Sequence, residues 1–231
     1  LDEMIKLEQG ERIDDLMTDT GLHIIQSREV FSFSLDAVLL ARFATIPKKG
    51  KLLDLCTGNG VIPLLLTTRT EATIDGVEIQ PRLADMARRS VQMNGLEHRV
   101  TIIEEDLRQF SKRINGQYDA VTVNPPYMAA DSGDHNDNEH YSIARHEVHC
   151  TLEDVIEACS RAVRTGGKVS MVHRPSRFID IVETMRKWRL EPKRIQFIHP
   201  KKDKEANMVL IEAIRDGKPE LKVLPSVVVY E

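Results

Sequence analysis

The sequence predicts an α/β protein with a mostly parallel sheet, helices on both faces and an antiparallel hairpin at one edge. Three observations carry this. From residue 51 onward, short apolar runs alternate with amphipathic stretches, which is the pattern of strands joined by crossover helices. Two further apolar runs, 193–199 and 207–214, are separated by the basic turn His199-Pro200-Lys201-Lys202-Asp203-Lys204, which suits a hairpin. A length of 231 residues, with 41% hydrophobic and 29% charged side chains, supports one such folded domain and argues against disorder.

Residues 1–48 read as an extension packed on a larger α/β domain of residues 49–231. Two short strands are expected around 12–16 and 22–25, with the turn Thr18-Asp19-Thr20-Gly21 between them,. A helix follows, with Leu35, Val38, Leu39 and Phe43 at helical spacing, Ser34 as N-cap and Pro47 as its stop,. Parallel strands are expected at 51–55, 73–78, 100–104, 119–123 and 168–173. Helix faces are marked by Leu83, Met86, Ala87 and Val91, and by Leu152, Val155, Ile156, Cys159 and Val163,. Gly166-Gly167 reads as the end of the second helix. The apolar tail 221–230 has the makings of another strand.

Composition excludes several function classes. No apolar run approaches the roughly 20 residues that span a bilayer, so no membrane partner is expected. Leu1-Asp2-Glu3-Met4-Ile5-Lys6 lacks the features of a secretory signal,. Cys56, Cys150 and Cys159 are too widely spaced for a disulfide framework or a zinc motif,. A reducing cytoplasm is therefore expected. A net charge of −4 gives no global attraction for nucleic acid, so local clusters must supply it: Lys193-Arg194 with Lys201, Lys202 and Lys204 is the basic candidate for phosphate contact. The polar loop after Tyr127 contains His135 and His140 without ligand spacing, and no metal is expected.

Chemistry concentrates at the ends of the predicted strands. Leu52-Leu53-Asp54-Leu55-Cys56-Thr57-Gly58-Asn59-Gly60-Val61 is an apolar strand running through a glycine turn into a helix. Gly58 and Gly60 let backbone approach a ligand, Thr57 sits in the same turn, and Asp54 is expected to accept from an amino acid moiety. Glu78 ends the next strand, twenty residues after Gly58, the spacing at which a carboxylate meets ribose hydroxyls in such folds. Asp106 and Leu107 follow the third strand and are candidates for base recognition, with an ordinary helix cap as the competing reading of Asp106. Asn124-Pro125-Pro126-Tyr127 follows the fourth. Proline removes local N–H donors, so the Asn124 side-chain oxygen and the Pro125 carbonyl form a pair of acceptors for the two hydrogens of a planar amine. Tyr127 is expected to stack on a base. Asn124 is also expected to border the ligand held by the glycine turn.

The turn, Asp-x-x-x-Gly-x-Gly rather than Gly-x-Gly-x-x-Gly, resembles class I methyltransferases, although Cys56 stands where glycine is commoner. That resemblance implies a Rossmann-like, seven-stranded sheet and S-adenosyl-L-methionine as cofactor. More closely, the chain resembles the bacterial tRNA(Val) adenine N6-methyltransferases of the small-domain superfamily. Residues 54–60, 124–127, 31–40, 199–201 and 207–210 carry the likeness, which implies methylation of an adenine beside the anticodon. Similar families methylate rRNA guanine or a protein glutamine, and the release-factor enzymes among them carry a helical N-terminal domain that the first 50 residues do not resemble. A non-catalytic module binding cofactor and RNA is the other alternative, against which the intact Asn124-Pro125-Pro126-Tyr127 argues.

Overall fold

The computed structural model describes residues 5–28, 35–126 and 150–230. Tyr127, His135, His140 and the N-cap candidate Ser34 lie outside the described residues. The elements are β1 (Glu11–Asp15), β2 (His23–Ser27), α1 (Leu35–Phe43), β3 (Lys51–Leu55), α2 (Val61–Leu66), β4 (Thr73–Glu78), α3 (Pro81–Met93), β5 (Val100–Glu104), α4 (Leu107–Lys112) and β6 (Tyr118–Val123). After these come α5 (Leu152–Ala162), β7 (Val163–His173), α6 (Phe178–Lys187), β8 (Leu190–Lys201), β9 (Met208–Arg215), β10 (Lys222–Val223) and β11 (Val227–Tyr230).

Seven strands lie in the order β8-β9-β7-β6-β3-β4-β5, and β10 and β11 both pair in parallel with the outer side of β8. Only β9 runs against its neighbours. The chain moves outward from β3 through β4 to β5, then returns to the other side of β3 to lay down β6 and β7. The order therefore reverses between β3 and β6, and a crevice opens outside the carboxyl ends of strands at such a switch point. The sheet separates two apolar layers. One face packs Phe110 of α4 with Val155, Ile156 and Cys159 of α5 and Ile181 and Met185 of α6. The other packs Val38 and Leu40 of α1, Leu64 of α2, and Ala84, Ala87 and Val91 of α3.

The hairpin of β1 and β2 forms its own small sheet. It docks on α3 through polar side chains as much as through packing. The Ile25 N–H donates to Ser90 Oγ at 2.9 Å, the His23 N–H donates to Asn94 Oδ1 at 2.9 Å, and Asn94 Nδ2 donates back to the His23 carbonyl at 2.7 Å. Arg89 clamps both carboxylate oxygens of Glu11 at 2.6 Å, a bidentate arrangement stronger than a neutral hydrogen bond. Ile25, Leu83 and Met86 close the joint.

Several expectations change. Helix α5 stops at Ala162, and Val163 is already extended, with φ −80° and ψ 140°. Gly166 and Gly167 lie inside β7, where its pairing with β6 jumps from Val163 to Lys168. The cause is crowding: a Cβ on Gly167 would stand 2.8 Å from the Asp119 carbonyl and 2.5 Å from Val163 Cγ2. Leu35 is exposed, and the buried residues of α1 are Ala37, Val38, Leu40 and Ala41. The tail supplies two short strands, so the hairpin's outer strand is covered in part. The basic segment is also divided. Arg194 pairs with Glu212 across β8 and β9 and is spent on that buried carboxylate, while Lys193 donates to the Lys218 carbonyl. Both lie toward the start of β8, away from the turn that carries Lys201, Lys202 and Lys204.

Gly167→Ala should destabilise the protein by about 1–3 kcal/mol, because backbone rather than a flexible side chain blocks the new methyl. Gly95→Ala should cost about 1 kcal/mol, since at φ +66° it meets open space and only the left-handed penalty applies,. Urea unfolding of the two variants checks the order; equal losses would count against the crowded bulge.

Candidate active site at the switch point

The end of β3 and the end of β6 are adjacent, with Asp54 opposite Thr122 and Leu55 opposite Val123. Everything chemical gathers on this rim. Asp54 is fully buried. Thr57 Oγ1 donates to its Oδ2 at 2.6 Å, and Thr122 Oγ1 donates to its Oδ1 at 2.7 Å. One carboxylate thus ties the turn after β3 to the end of β6. Room for Thr57 comes from Gly76 on β4, opposite Asp54, where a Cβ would stand 2.9 Å from Thr57 Oγ1. Burial raises the Asp54 pKa from 3.8 to about 7, against the opposing pull of the two hydroxyl donors.

Glu78 closes β4 and is likewise buried. Its Oε1 accepts from the Gly58 N–H at 2.9 Å and its Oε2 from the Gln80 N–H at 2.9 Å. Burial pushes its pKa up while these backbone donors pull it down. The turn is therefore held from both sides, with Thr57 anchored to Asp54 and Gly58 anchored to Glu78. Gly58 has φ +58° and nothing within 4 Å of where a Cβ would be, whereas Gly60, at φ +92°, lies against Ala87. One glycine packs and the other faces free space. Cys56 adopts φ +56°, a conformation that costs a side-chain-bearing residue roughly 1–2 kcal/mol. This accounts for glycine being commoner at that place, and Cys56 offsets the strain by packing on the core of α4 and α5. The three cysteines, distant in sequence, all join that one cluster as free thiols.

Asp106 caps α4: its Oδ1 accepts from the Arg108 N–H at 2.8 Å, and its carboxylate pairs with the Arg108 guanidinium at 2.6 Å. The hydrogen bond from Arg108 lowers its pKa. The cap geometry is present, and Leu107 begins the helix beside it. Asn124 is half-buried, Pro125 buried and Pro126 exposed. Among the described residues none hydrogen-bonds the Asn124 amide.

Two residues on this rim escaped the sequence reading. Asn59, fully buried in the glycine turn, donates from Nδ2 to the Ile25 carbonyl of β2 at 3.0 Å, and its Oδ1 has no partner among the described residues. Buried acceptors are normally satisfied, so an unpaired one in the glycine turn is an exception that a ligand donor would remove. His173 ends β7, the strand next to β6. Burial, with Arg177 and Arg174 nearby, lowers its pKa to about 4, and its Nδ1 accepts from the Arg174 N–H at 2.8 Å. Its only sequence signal is a polar residue closing an apolar strand. The described residues contain no group of three or more His, Cys, Asp or Glu side chains able to hold a metal, and none of their helices is long and apolar enough to cross a membrane.

Asp54 has a higher pKa in the folded chain than in the unfolded one, so its protonated form contributes stability that is complete below about pH 4 and lost as pH rises through about 7,. Asp54→Asn should remove this loss. Its thermal midpoint relative to the parent should climb from pH 5 to pH 7 and level off by pH 8; a constant difference across that range would mean Asp54 titrates as an ordinary carboxylate.

The family model described as Methyltransferase small domain matches residues 21–188. A tRNA1(Val) (adenine(37)-N6)-methyltransferase of Aeromonas hydrophila is 30% identical over 152 residues, covering 65% of this chain and 62% of the relative. The chain thus spans less than two thirds of that relative's length. A protein of the same name from Parabacteroides distasonis is 26% identical over 177 residues, covering 77% and 74%. Among solved structures, a predicted O-methyltransferase of Agrobacterium tumefaciens superposes with a TM-score of 0.67 at 22% identity, covering 84% of this chain and 87% of that one. The geranyl diphosphate C-methyltransferase of Streptomyces coelicolor A3(2), solved with S-adenosyl-L-homocysteine, gives 0.58 at 16% identity, covering 78% of each chain. These neighbours share the class I methyltransferase fold, and they are named for oxygen and carbon acceptors, so the fold by itself does not select the atom methylated.

Proposed function

Because the chain belongs to the methyltransferase small domain family, we propose that it is an S-adenosyl-L-methionine-dependent N-methyltransferase acting on the N6 amino group of an adenine in tRNA, near the anticodon. The observation that carries this reading is the adjacency of the two strand ends: the Asn124-Pro125-Pro126 acceptors follow β6, directly beside the glycine turn that follows β3. The activity for which the Aeromonas and Parabacteroides relatives are named supports adenine and tRNA over guanine or glutamine. In this reading residues 1–48 form an extension on a catalytic domain of residues 49–231, and the protein works in the cytoplasm, with its three cysteines as thiols.

The residues fit the cofactor. Glu78 keeps carboxylate lone pairs for ribose hydroxyls after accepting its two backbone bonds. Asp106 and Leu107 border the adenine, with the Asp106 carboxylate shared with Arg108. Gly58 leaves the space a ligand needs, Asn59 Oδ1 offers an acceptor to an ammonium group, and Asp54, Thr57 and Gly60 hold the turn in shape. When bound, the cofactor supplies an electrophilic methyl on a sulfonium.

Asn124 Oδ1 and the Pro125 carbonyl each accept one hydrogen of the target amine, which aims the nitrogen lone pair at the methyl. Positive charge grows on nitrogen as the new N–C bond forms and the S–C bond breaks. The two oxygens bind that charge more tightly than they bind the neutral amine, and this difference lowers the barrier. One amine proton then leaves to water. Asp54 is not a base in this scheme, because both its oxygens are occupied inside the fold.

Tritiated cofactor offered to unmodified tRNA, rRNA and protein fractions should label tRNA, and label confined to protein or rRNA would overturn the assignment. Asn124→Ala should reduce transfer about 100- to 1,000-fold while S-adenosylhomocysteine still binds by calorimetry. Gly58→Ala should do the reverse. A methyl placed in the ligand's space should weaken S-adenosylhomocysteine about 5- to 150-fold, whereas the apoprotein loses only the left-handed penalty of about 1 kcal/mol.

A further inference from the structure

The reversed strand β9 brings the turn between β8 and β9 to the same end of the sheet as Asn124, since His173 at the end of β7 pairs with Val209 and Ile198 of β8 pairs with Met208. Strand β11 reaches this end as well: Val228 lies opposite His199, and Tyr230 lies opposite Lys201. Alternation along β11 sends Val227 and Val229 into the core of one sheet face and turns Val228 and Tyr230 to the other. Tyr230 is 63% exposed. On β8 the same alternation aligns Phe197, His199 and Lys201 on that second face, where Phe197 meets Phe178 edge-on at 5.9 Å between ring centroids. An exposed aromatic ring therefore adjoins a lysine at the rim of the site.

Charge by itself is a weak argument here. The turn sets Lys201, Lys202 and Lys204 against Asp203 and Glu205. Yet the three lysines are exposed, and none forms an ion pair with a described carboxylate. A ring exposed on the outermost strand, opposite a lysine of the neighbouring strand, suits stacking on an unpaired base with phosphates alongside,. Four strand spacings of about 4.8 Å separate β6 from β11, so this surface lies about 19 Å from the target amine's place. A folded RNA presenting one nucleotide at Asn124 spans that distance.

We propose that Tyr230, with Lys201 and Lys202, forms an RNA-docking surface at the β8–β11 edge: the ring stacks on an unpaired base elsewhere in the folded RNA that presents the target, and the lysines hold phosphates. This rests on the reading of the site as an RNA methyltransferase. It assigns a part of substrate recognition to the sheet edge farthest from the cofactor strands.

The test is equilibrium binding of an unmodified tRNA transcript, with S-adenosylhomocysteine present, across 50–200 mM salt. Tyr230→Ala should weaken tRNA about 5- to 150-fold, and Tyr230→Phe should restore it. The Lys201→Ala, Lys202→Ala double variant should flatten the slope of log affinity against log salt by about 1.4–1.8. All three should bind S-adenosylhomocysteine as the parent does. Unchanged tRNA affinity in Tyr230→Ala, an unchanged salt slope in the lysine variant, or failure of Tyr230→Phe to rescue would overturn the docking surface while the parent still methylates tRNA. A parent that neither binds nor methylates RNA would overturn both readings.

Discussion

The Asp54 carboxylate, sealed from water and bonded to two threonine hydroxyls, is the interaction on which the site's shape depends. A lone buried carboxylate is costly, and here the cost is limited by two short hydrogen bonds and by a pKa near 7 that lets the group carry a proton part of the time. In return, three pieces of chain are locked in register: the end of β3, the turn that follows it, and β6. The Glu78 bond to Gly58 fixes the far side of the same turn. With both anchors in place the turn cannot swing, and the open space at Gly58 persists without a ligand to prop it.

That arrangement also separates two tasks that sequence alone merges. Asp54 read as a direct ligand contact because it begins a recognisable turn. In three dimensions it faces inward, and Asn59, which carried no signal, is the buried side chain with an unused acceptor. The distinction depends on the pleat: Leu53 and Leu55 fill one face of the sheet, which sends Asp54 to the other, under Thr57 and beside Thr122. Only knowledge of which strands are neighbours reveals this.

Much of the fold was legible because its rules are local. Strands 51–55, 73–78 and 100–104 end where apolar alternation ends, and the helix faces of α3 and α5 follow from 3.6-residue periodicity. Local reasoning failed where a distant neighbour decides. Gly166 and Gly167 look like a helix stop, but the nearness of Asp119 makes them a bulge inside a strand. Leu35 looks like a core position, but α1 turns Ala37, Val38, Leu40 and Ala41 inward and leaves it exposed. Arg194 looks like part of a phosphate-binding run, but Glu212 claims it within the sheet. The cysteines, read as scattered, share one apolar cluster because α5 and the turn after β3 meet over β6.

The single antiparallel strand has an evolutionary consequence. Strand β8 carries the chain to the rim, and a short turn there hands it to the reversed β9, on the far side of β7 from β3, β4 and β5. Insertions, deletions or recharging at residues 201–207 can therefore accumulate without disturbing β3, β4 or β5. Divergence among descendants of this architecture should concentrate at that turn, so that new substrates are recruited by editing one surface segment while the inherited reaction chemistry stays intact.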